Sequence, residues 1–298
     1  MVVSYHTVIP DIHADFERLD LSLKQSSDQG KILFLGDFID AGSGVSSPSD
    51  VQVLNTVKTL IEGNEAIGVM GNHELNAILF HAFNDRGPLR AHSDKNKKQH
   101  KSFIEAFGVG TASAREWTDW FLSALPLWRE FEGLRLVHAC WSEQQISVVR
   151  KRRPDGYLKR DDLEEISTES TDFGKAVKIL TSGPEVVLPE PYSFEDYQGN
   201  TRREVRIAWW SSGASTWQDA TLSVPNPDQL PSSKVPSEVS SEIYSADGQP
   251  VLVGHYKMKG EPVIDNNKAA SLDYPFAPCI YKWSGEAFLS QDNLIKVL

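Results

Sequence analysis

Ile32-Leu33-Phe34-Leu35-Gly36-Asp37-Phe38-Ile39-Asp40 is the stretch whose reading decides the fold. Four consecutive apolar residues, too few for a helix, read as a buried strand. Gly36 then permits a sharp turn, and the turn delivers a carboxylate to the end of the strand. Upstream, Val2–Ile9 is a β-branched run that stops at Pro10 and Asp11; downstream, Ile67–Met70 is a third strand. Between them, Phe16, Leu19 and Leu23 recur at helical spacing. Ser47-Pro48-Ser49-Asp50 predicts a helix start with Ser47 as N-cap, Pro48 at the first position and an acid at the third. Its apolar face is Leu54, Val57 and Ile61, and Leu75, Ile78 and Leu79 mark the next helix. This alternation of strand and helix through the first 140 residues is the pattern of an α/β sheet.

Further along, Asp85–Lys101 changes character, gathering Arg86, Arg90, Lys95, Lys97, Lys98, Lys101, His92 and His100 among few apolar residues. Ser113-Ala-Arg-Glu116 reads as a capping box opening a helix buried through Trp117, Trp120, Phe121 and Leu125. Strands are expected at Leu127–Phe131, Leu134–Cys140, Val205–Trp210, Val251–Val253, Ala269–Leu272 and Ile280–Trp283, and charged helices over 142–182. Residues 221–249, rich in Pro and Ser, read as an excursion over the surface. No internal repeat is present, and the chain reads as a single domain, 1–298, with insertions at about 85–125, 142–200 and 221–249.

Composition narrows the function classes. With 298 residues the chain can bury about three quarters of its unfolded surface without disulfide staples. Its net charge of −11 argues against a charge-driven nucleic-acid binder and against anionic membrane surfaces. Cys140 and Cys279 lack any CxxC spacing and read as two reduced, buried thiols. The N-terminus has no export signal and no run of about 20 apolar residues occurs, so a cytoplasmic location is the expectation.

Five short motifs stand at the ends of expected strands: Asp11-Ile-His13, Gly36-Asp37-Phe-Ile-Asp40, Gly71-Asn72-His73-Glu74, Val137-His138 and Gly254-His255. In Asp11-x-His13, alternate positions point to one side, so a carboxylate and an imidazole can bind one ion. Asp37 can offer an oxygen to each of two neighbouring ions, Asn72 a neutral carbonyl, and His138 and His255 imidazoles. Mixed oxygen and nitrogen donors without thiolates suit Mn, Fe or Zn in a catalytic role, with Mn favoured. Two ions about 3.5–4 Å apart would acidify a water and clamp an in-line displacement at phosphorus. Singly, each motif has a plainer reading as a turn, a helix cap or a core histidine. Their conjunction, in order and each at a strand end, favours the metal centre.

The same set resembles the calcineurin-like metallophosphoesterase superfamily, most closely its phosphoprotein-phosphatase branch, which includes bacterial Ser/Thr phosphatases and diadenosine-tetraphosphate hydrolases. The likeness spans Asp11 to about Trp283. It implies two mixed β-sheets packed as a sandwich and flanked by helices, with Asp11, His13 and Asp37 on a first metal and Asp37, Asn72, His138 and His255 on a second. It further implies His73 as general acid, oriented by Asp40. Trp209-Trp210-Ser211 resembles a Trp-Ser segment of that branch, with no role assigned.

Two departures bear on substrate. Ala41 stands where the branch carries a phosphate-gripping Arg, and Tyr256-Lys257 follows His255 where many phosphodiesterase-type members have a second His. Arg90, with His92 and Lys95, is the expected replacement for the missing cation, because a guanidinium fork grips two phosphate oxygens. The expected activity is hydrolysis of a phosphomonoester, carried by a phosphoprotein or a small molecule. The alternatives are a dinucleoside-polyphosphate hydrolase, a catalytically silent metal-binding module, and a nucleic-acid end phosphatase resting on Arg150–Arg153 and the 85–101 patch. We read Arg150–Arg153 as solvated charge.

Overall fold

Alternation within very short strands determines how this chain layers. Along His6–Ile9 and Ile32–Phe34, Val8 and Leu33 face one way while Ile9, Ile32 and Phe34 face the other. The computed structural model describes residues 5–26, 30–42, 44–196, 199–210, 215–236, 244–245 and 247–297. In it, Val8, Leu33, Leu35 and Val69 pack against Leu134, Leu136, Leu252, Ala270 and Leu272 in one buried cluster. Ile9, Ile32, Phe34, Val137, Val251 and Val253 turn the opposite way, into a core shared with helices that include Leu19, Val53, Leu54, Val57, Ile146, Val149, Phe173 and Val177. The first cluster is the interior of a two-sheet sandwich; the second lines its helical flanks.

The larger sheet runs Leu294–Lys296, Cys279–Trp283, His6–Ile9, Ile32–Phe34, Ala66–Gly68. Its last three strands are parallel, with Val8 opposite Leu33 and Leu33 opposite Ile67. Cys279–Trp283 pairs antiparallel with His6–Ile9. The second sheet runs Ala269–Ser271, Val251–Val253, Leu134–Val137, Trp128–Phe131; the first three are parallel and the fourth closes a hairpin. Both sheets are therefore mixed, and the expected helix-flanked α/β sandwich is what the chain forms. Every parallel strand that bears a motif ends on the same side of the sandwich, where ligand sites of such sheets form.

Several boundaries differ from expectation. The helix Asp50–Glu62 starts later than predicted: Ser49 is its cap, accepting from Gln52 N, and Asp50 turns back to accept the Asp40 amide at 3.1 Å. The helix Ala112–Ala124 is capped by Thr111, not Ser113: the Thr111 hydroxyl accepts the Ala114 amide at 3.1 Å. The strand expected to reach Trp210 covers only Glu204–Ile207. Val2, Val3 and Ser4 of the first expected strand, Ser211 of the Trp-Ser segment, and residues 237–243 and 246 of the 221–249 excursion lie outside the described residues. Cys140 and Cys279 are both buried and no disulfide joins them.

The 85–101 segment forms a two-residue hairpin, Phe83–Asn84 with Gly87–Pro88, then the helix Asp94–Gln99, and leads directly into the helix Lys101–Phe107. Arg152 and Arg153 are not a free basic patch. Arg153 grips the buried Asp162 through Nε at 2.8 Å and Nη2 at 2.9 Å, and Arg152 pairs with Glu165. This charge is structural, which removes half of the support for a nucleic-acid reading. None of the described helices is long and apolar enough to cross a membrane.

Candidate functional site

The strand ends converge through strained backbone. His13, Asp37, Asp40 and His255 all adopt positive φ, at 51°, 53°, 65° and 65°. Non-glycine residues hold such angles at a cost, and a cluster of them marks a site over-determined by its surroundings. Glu74 supplies much of that determination. Its buried carboxylate accepts the amides of Asp37 and Phe38 at 2.8 Å each and of Gly71 at 3.1 Å, tying two motif loops together. Gly71 and Gly254 are required for close approach. A Cβ on Gly71 would strike the Asp37 carboxylate and amide, and one on Gly254 would strike the Asp11 carboxylate.

Asp11 is fully buried and accepts the His255 amide at both oxygens, at 3.1 and 3.0 Å. His13 donates from Nδ1 to Ile39 O at 3.3 Å, which leaves its Nε2 lone pair facing Asp11 Oδ2 at 3.9 Å and Asp37 Oδ2 at 4.0 Å. His138 donates from Nδ1 to Leu35 O at 2.7 Å, so Nε2 faces Asn72 Oδ1 at 3.0 Å and Asp37 Oδ2 at 3.3 Å. His255 Nδ1 lies 2.7 Å from the same Asn72 oxygen, and its buried Nε2 has no hydrogen-bond partner. Ligating atoms of Asp37, His138 and His255 all lie within 4.8 Å of one another, as do those of His13, Asp37 and His73; Asp37 belongs to both groups.

Imidazole nitrogens and an amide oxygen gathered round a buried carboxylate call for positive charge among them, carried by a proton or by a cation. Burial disfavours charge on His138, yet Asp37 outweighs it and pushes this imidazole up to about 10. Burial likewise opposes a charged His73, but Asp37 and the Asp40 hydrogen bond push it up to about 9. Burial, reinforced by His73, drops His13 to about 3, so its nitrogen stays available as a ligand. The cluster thus demands positive charge, and its oxygen and imidazole donors fit divalent transition ions.

His73 Nδ1 sits 2.8 Å from Asp40 Oδ2, while its Nε2 lies 3.9 Å from Asp37 Oδ2, so this ring joins the first donor cluster to Asp40. The remaining predicted residues separate. Arg90 joins Asp40, Asn76, Phe80, Asn96, Gln99 and His100 around a small cavity. Its guanidinium is held by three amide oxygens, those of Asn76, Asn96 and Gln99. No carboxylate among the described residues forms an ion pair with it, though the Asp40 carboxylate lines the same cavity and favours its charge. Neither His92 nor Lys95 lines that cavity. His92 stacks on Phe80 with centroids 3.9 Å apart and donates to Phe80 O, and Lys95 is exposed on the Asp94–Gln99 helix.

Three participants went unread in the sequence. Glu74 stands in the Gly71-Asn72-His73-Glu74 motif, where the sequence assigned it no role. His81 and His100 lie in separate segments, and no spacing rule links them to Asp40, yet His100 Nδ1 is 2.6 Å from Asp40 Oδ1. Trp209 donates to Ala139 O at 2.9 Å and Trp210 packs on Tyr256, so the Trp pair backs the strand ends that carry His138 and His255.

The sandwich thus presents, at its strand ends, donor groups that could hold metal beside a histidine–aspartate pair. A family model for calcineurin-like phosphoesterases matches residues 7–157, and the chain belongs to that family. It is accordingly an enzyme of phosphoester hydrolysis. Among solved structures, a cold-active protein-tyrosine phosphatase from a Shewanella species is similar, with a TM-score of 0.52 and 14% identity over 99% of this chain and 81% of that one. A protein serine/threonine phosphatase from Saccharomyces cerevisiae aligns with a TM-score of 0.46 and 14% identity, covering 99% of this chain and 79% of that one. No curated protein matches the chain in sequence.

Proposed function

We propose that this chain is a binuclear-metal phosphomonoesterase, acting on a phosphorylated protein or a small phosphate ester as one domain. The observation that carries the reading is Asp37 shared by two donor clusters, the first of which includes His73, hydrogen-bonded in turn to Asp40. Asp11, His13 and Asp37 would hold one ion, and Asp37, Asn72, His138 and His255 the other. Such ions, manganese by preference, supply Lewis-acid polarisation of the phosphoryl group and an acidified water. His73 carries its proton on Nε2 towards the leaving oxygen, and Asp40 orients the ring through Nδ1. Arg90 grips the phosphate from the cavity side, in place of the cation missing at Ala41. Glu74 keeps the Asp37 and Asn72 loops in register.

The test is a substrate panel with manganese present, joined to metal analysis. p-Nitrophenyl phosphate and phosphopeptides, phosphotyrosine included, should turn over, while bis-p-nitrophenyl phosphate should not. Asp37→Asn should lose both ions, whereas His13→Ala should mainly lose one. His73→Ala should keep its metals and lose kcat by roughly 10²–10⁴, less on p-nitrophenyl phosphate, whose leaving group needs little protonation. Turnover confined to diadenosine tetraphosphate would move the reading to a phosphoanhydride hydrolase, and no turnover at all would favour a silent metal-binding module.

A further inference from the structure

The Asp40 carboxylate has a second oxygen, and no motif accounts for its occupant. Oδ1 meets His100 Nδ1 at 2.6 Å; His100 Nε2 lies 3.2 Å from His81 Nε2; His81 Nδ1 receives the Gly110 amide at 3.1 Å. That last contact assigns every proton in the series. A backbone N–H only donates, so His81 Nδ1 is an acceptor and the ring proton of neutral His81 sits on Nε2. Burial, with His100 and His92 nearby, pushes His81 down to about 4, which keeps it neutral near pH 7. Its proton then points at His100 Nε2, which must accept. The His100 proton is left on Nδ1, where it donates to Asp40. A doubly protonated His100 would set two N–H groups against each other.

We propose that His100 and His81 are positioning residues for the phosphoesterase reaction: with the Gly110 amide they form a one-directional hydrogen-bonded chain that locks the Asp40 carboxylate and, through it, the tautomer and aim of His73. The inference rests on the general-acid reading of His73. Both oxygens of Asp40 are bound, Oδ1 by His100 and Oδ2 by His73, and its amide is held by Asp50 Oδ1 at 3.1 Å. The carboxylate cannot rotate without breaking two of these bonds. The neighbouring Ala41 amide donates to Ser102 Oγ at 2.9 Å, so the start of the Lys101–Phe107 helix pins the loop at successive residues. Both imidazoles are buried, His81 at 5% and His100 at 4% exposure, and His100 stacks on Phe103 with planes 17° apart. Packing alone would be met by apolar rings without the desolvation cost of four ring nitrogens. Their use here is directional.

Two measurements test this. The first is kinetic. His100→Phe keeps the stack on Phe103 and removes the donor to Asp40; His100→Asn places an amide N–H near the lost Nδ1. His100→Phe should keep its metals and KM but lose kcat about 10–100-fold on alkyl phosphates such as phosphoserine peptides, and much less on p-nitrophenyl phosphate. His100→Asn should recover most of that loss, and His81→Gln should outperform His81→Phe. A loss of equal size on both leaving groups, or no rescue by His100→Asn, would overturn the proposal. The second is spectroscopic and independent of turnover. In zinc-loaded protein labelled with ¹⁵N-histidine, His100 should carry its proton on Nδ1 and His81 on Nε2, both slow to exchange. A proton on His100 Nε2 sinks the chain even if the enzyme is active. Absent turnover in the wild type, by contrast, sinks the function while the tautomers still decide whether the chain exists.

Discussion

Arg90 shows how much a single side chain's partners matter. A guanidinium paired with a carboxylate has little charge left to offer a substrate, but one held by three neutral amide oxygens is oriented and still cationic. Two of its five N–H donors remain beyond the three that Asn76, Asn96 and Gln99 accept. Arg90→Ala should therefore lower kcat/KM by about 1.5–3 kcal/mol, one charge-assisted contact, chiefly through KM. Arg90→Lys should recover part of this, since it restores the charge but not the fork. Unchanged kinetics in Arg90→Ala would assign the phosphate grip to another residue. His92→Ala should leave phosphate affinity unaltered, because that ring is committed to Phe80. Histidine identity alone could not separate these residues; their neighbours do.

At the scale of elements, the charged stretch from Arg150 to Glu165 turns out to be a brace. Arg153 bonds Asp162 through two nitrogens, and Asp162 also accepts the Lys159 amide at 2.8 Å, capping the short helical turn that leads into Leu163–Thr168. Asp162 is only 1% exposed, and without Arg153 it would keep only the more distant Arg152 Nη1 at 3.5 Å and the Lys159 amide. Arg153→Ala should cost about 1.5–3 kcal/mol in stability, the loss of charge-assisted hydrogen bonds, read from urea midpoints at constant slope. Replacing both members by apolar residues should recover much of it. A loss under about 1 kcal/mol would class the pair with ordinary surface ion pairs. Composition showed the charge here, but only the pairing shows that it is spent internally.

Across the whole molecule, the sandwich interior and the candidate metal cluster are two ends of the same strands. Leu252 is fully buried between the sheets, and His255 follows its strand by two residues. Leu252→Ala should destabilise by about 2–5 kcal/mol, the transfer and cavity cost of a core leucine, measured by denaturant titration. A value near zero would mean that the two sheets do not share this interior. The sequence by itself determined the α/β class and the approximate strand positions, and it brought forward the candidate ligand set, because these depend on local patterns: short apolar runs, turn glycines, and chemistry-bearing residues at strand ends. It also located Arg90 as the candidate cation. What only the tertiary structure decided were relations between distant segments. These are the three amides tied by Glu74, the partners that keep Arg90 charged, the internal pairing of Arg153, and the meeting of Gly110, His81 and His100 behind Asp40. The physical reason is common to all four: a side chain's hydrogen-bond partner, proton position and net charge are set by which groups approach within about 3 Å, and no periodicity in the chain encodes that approach.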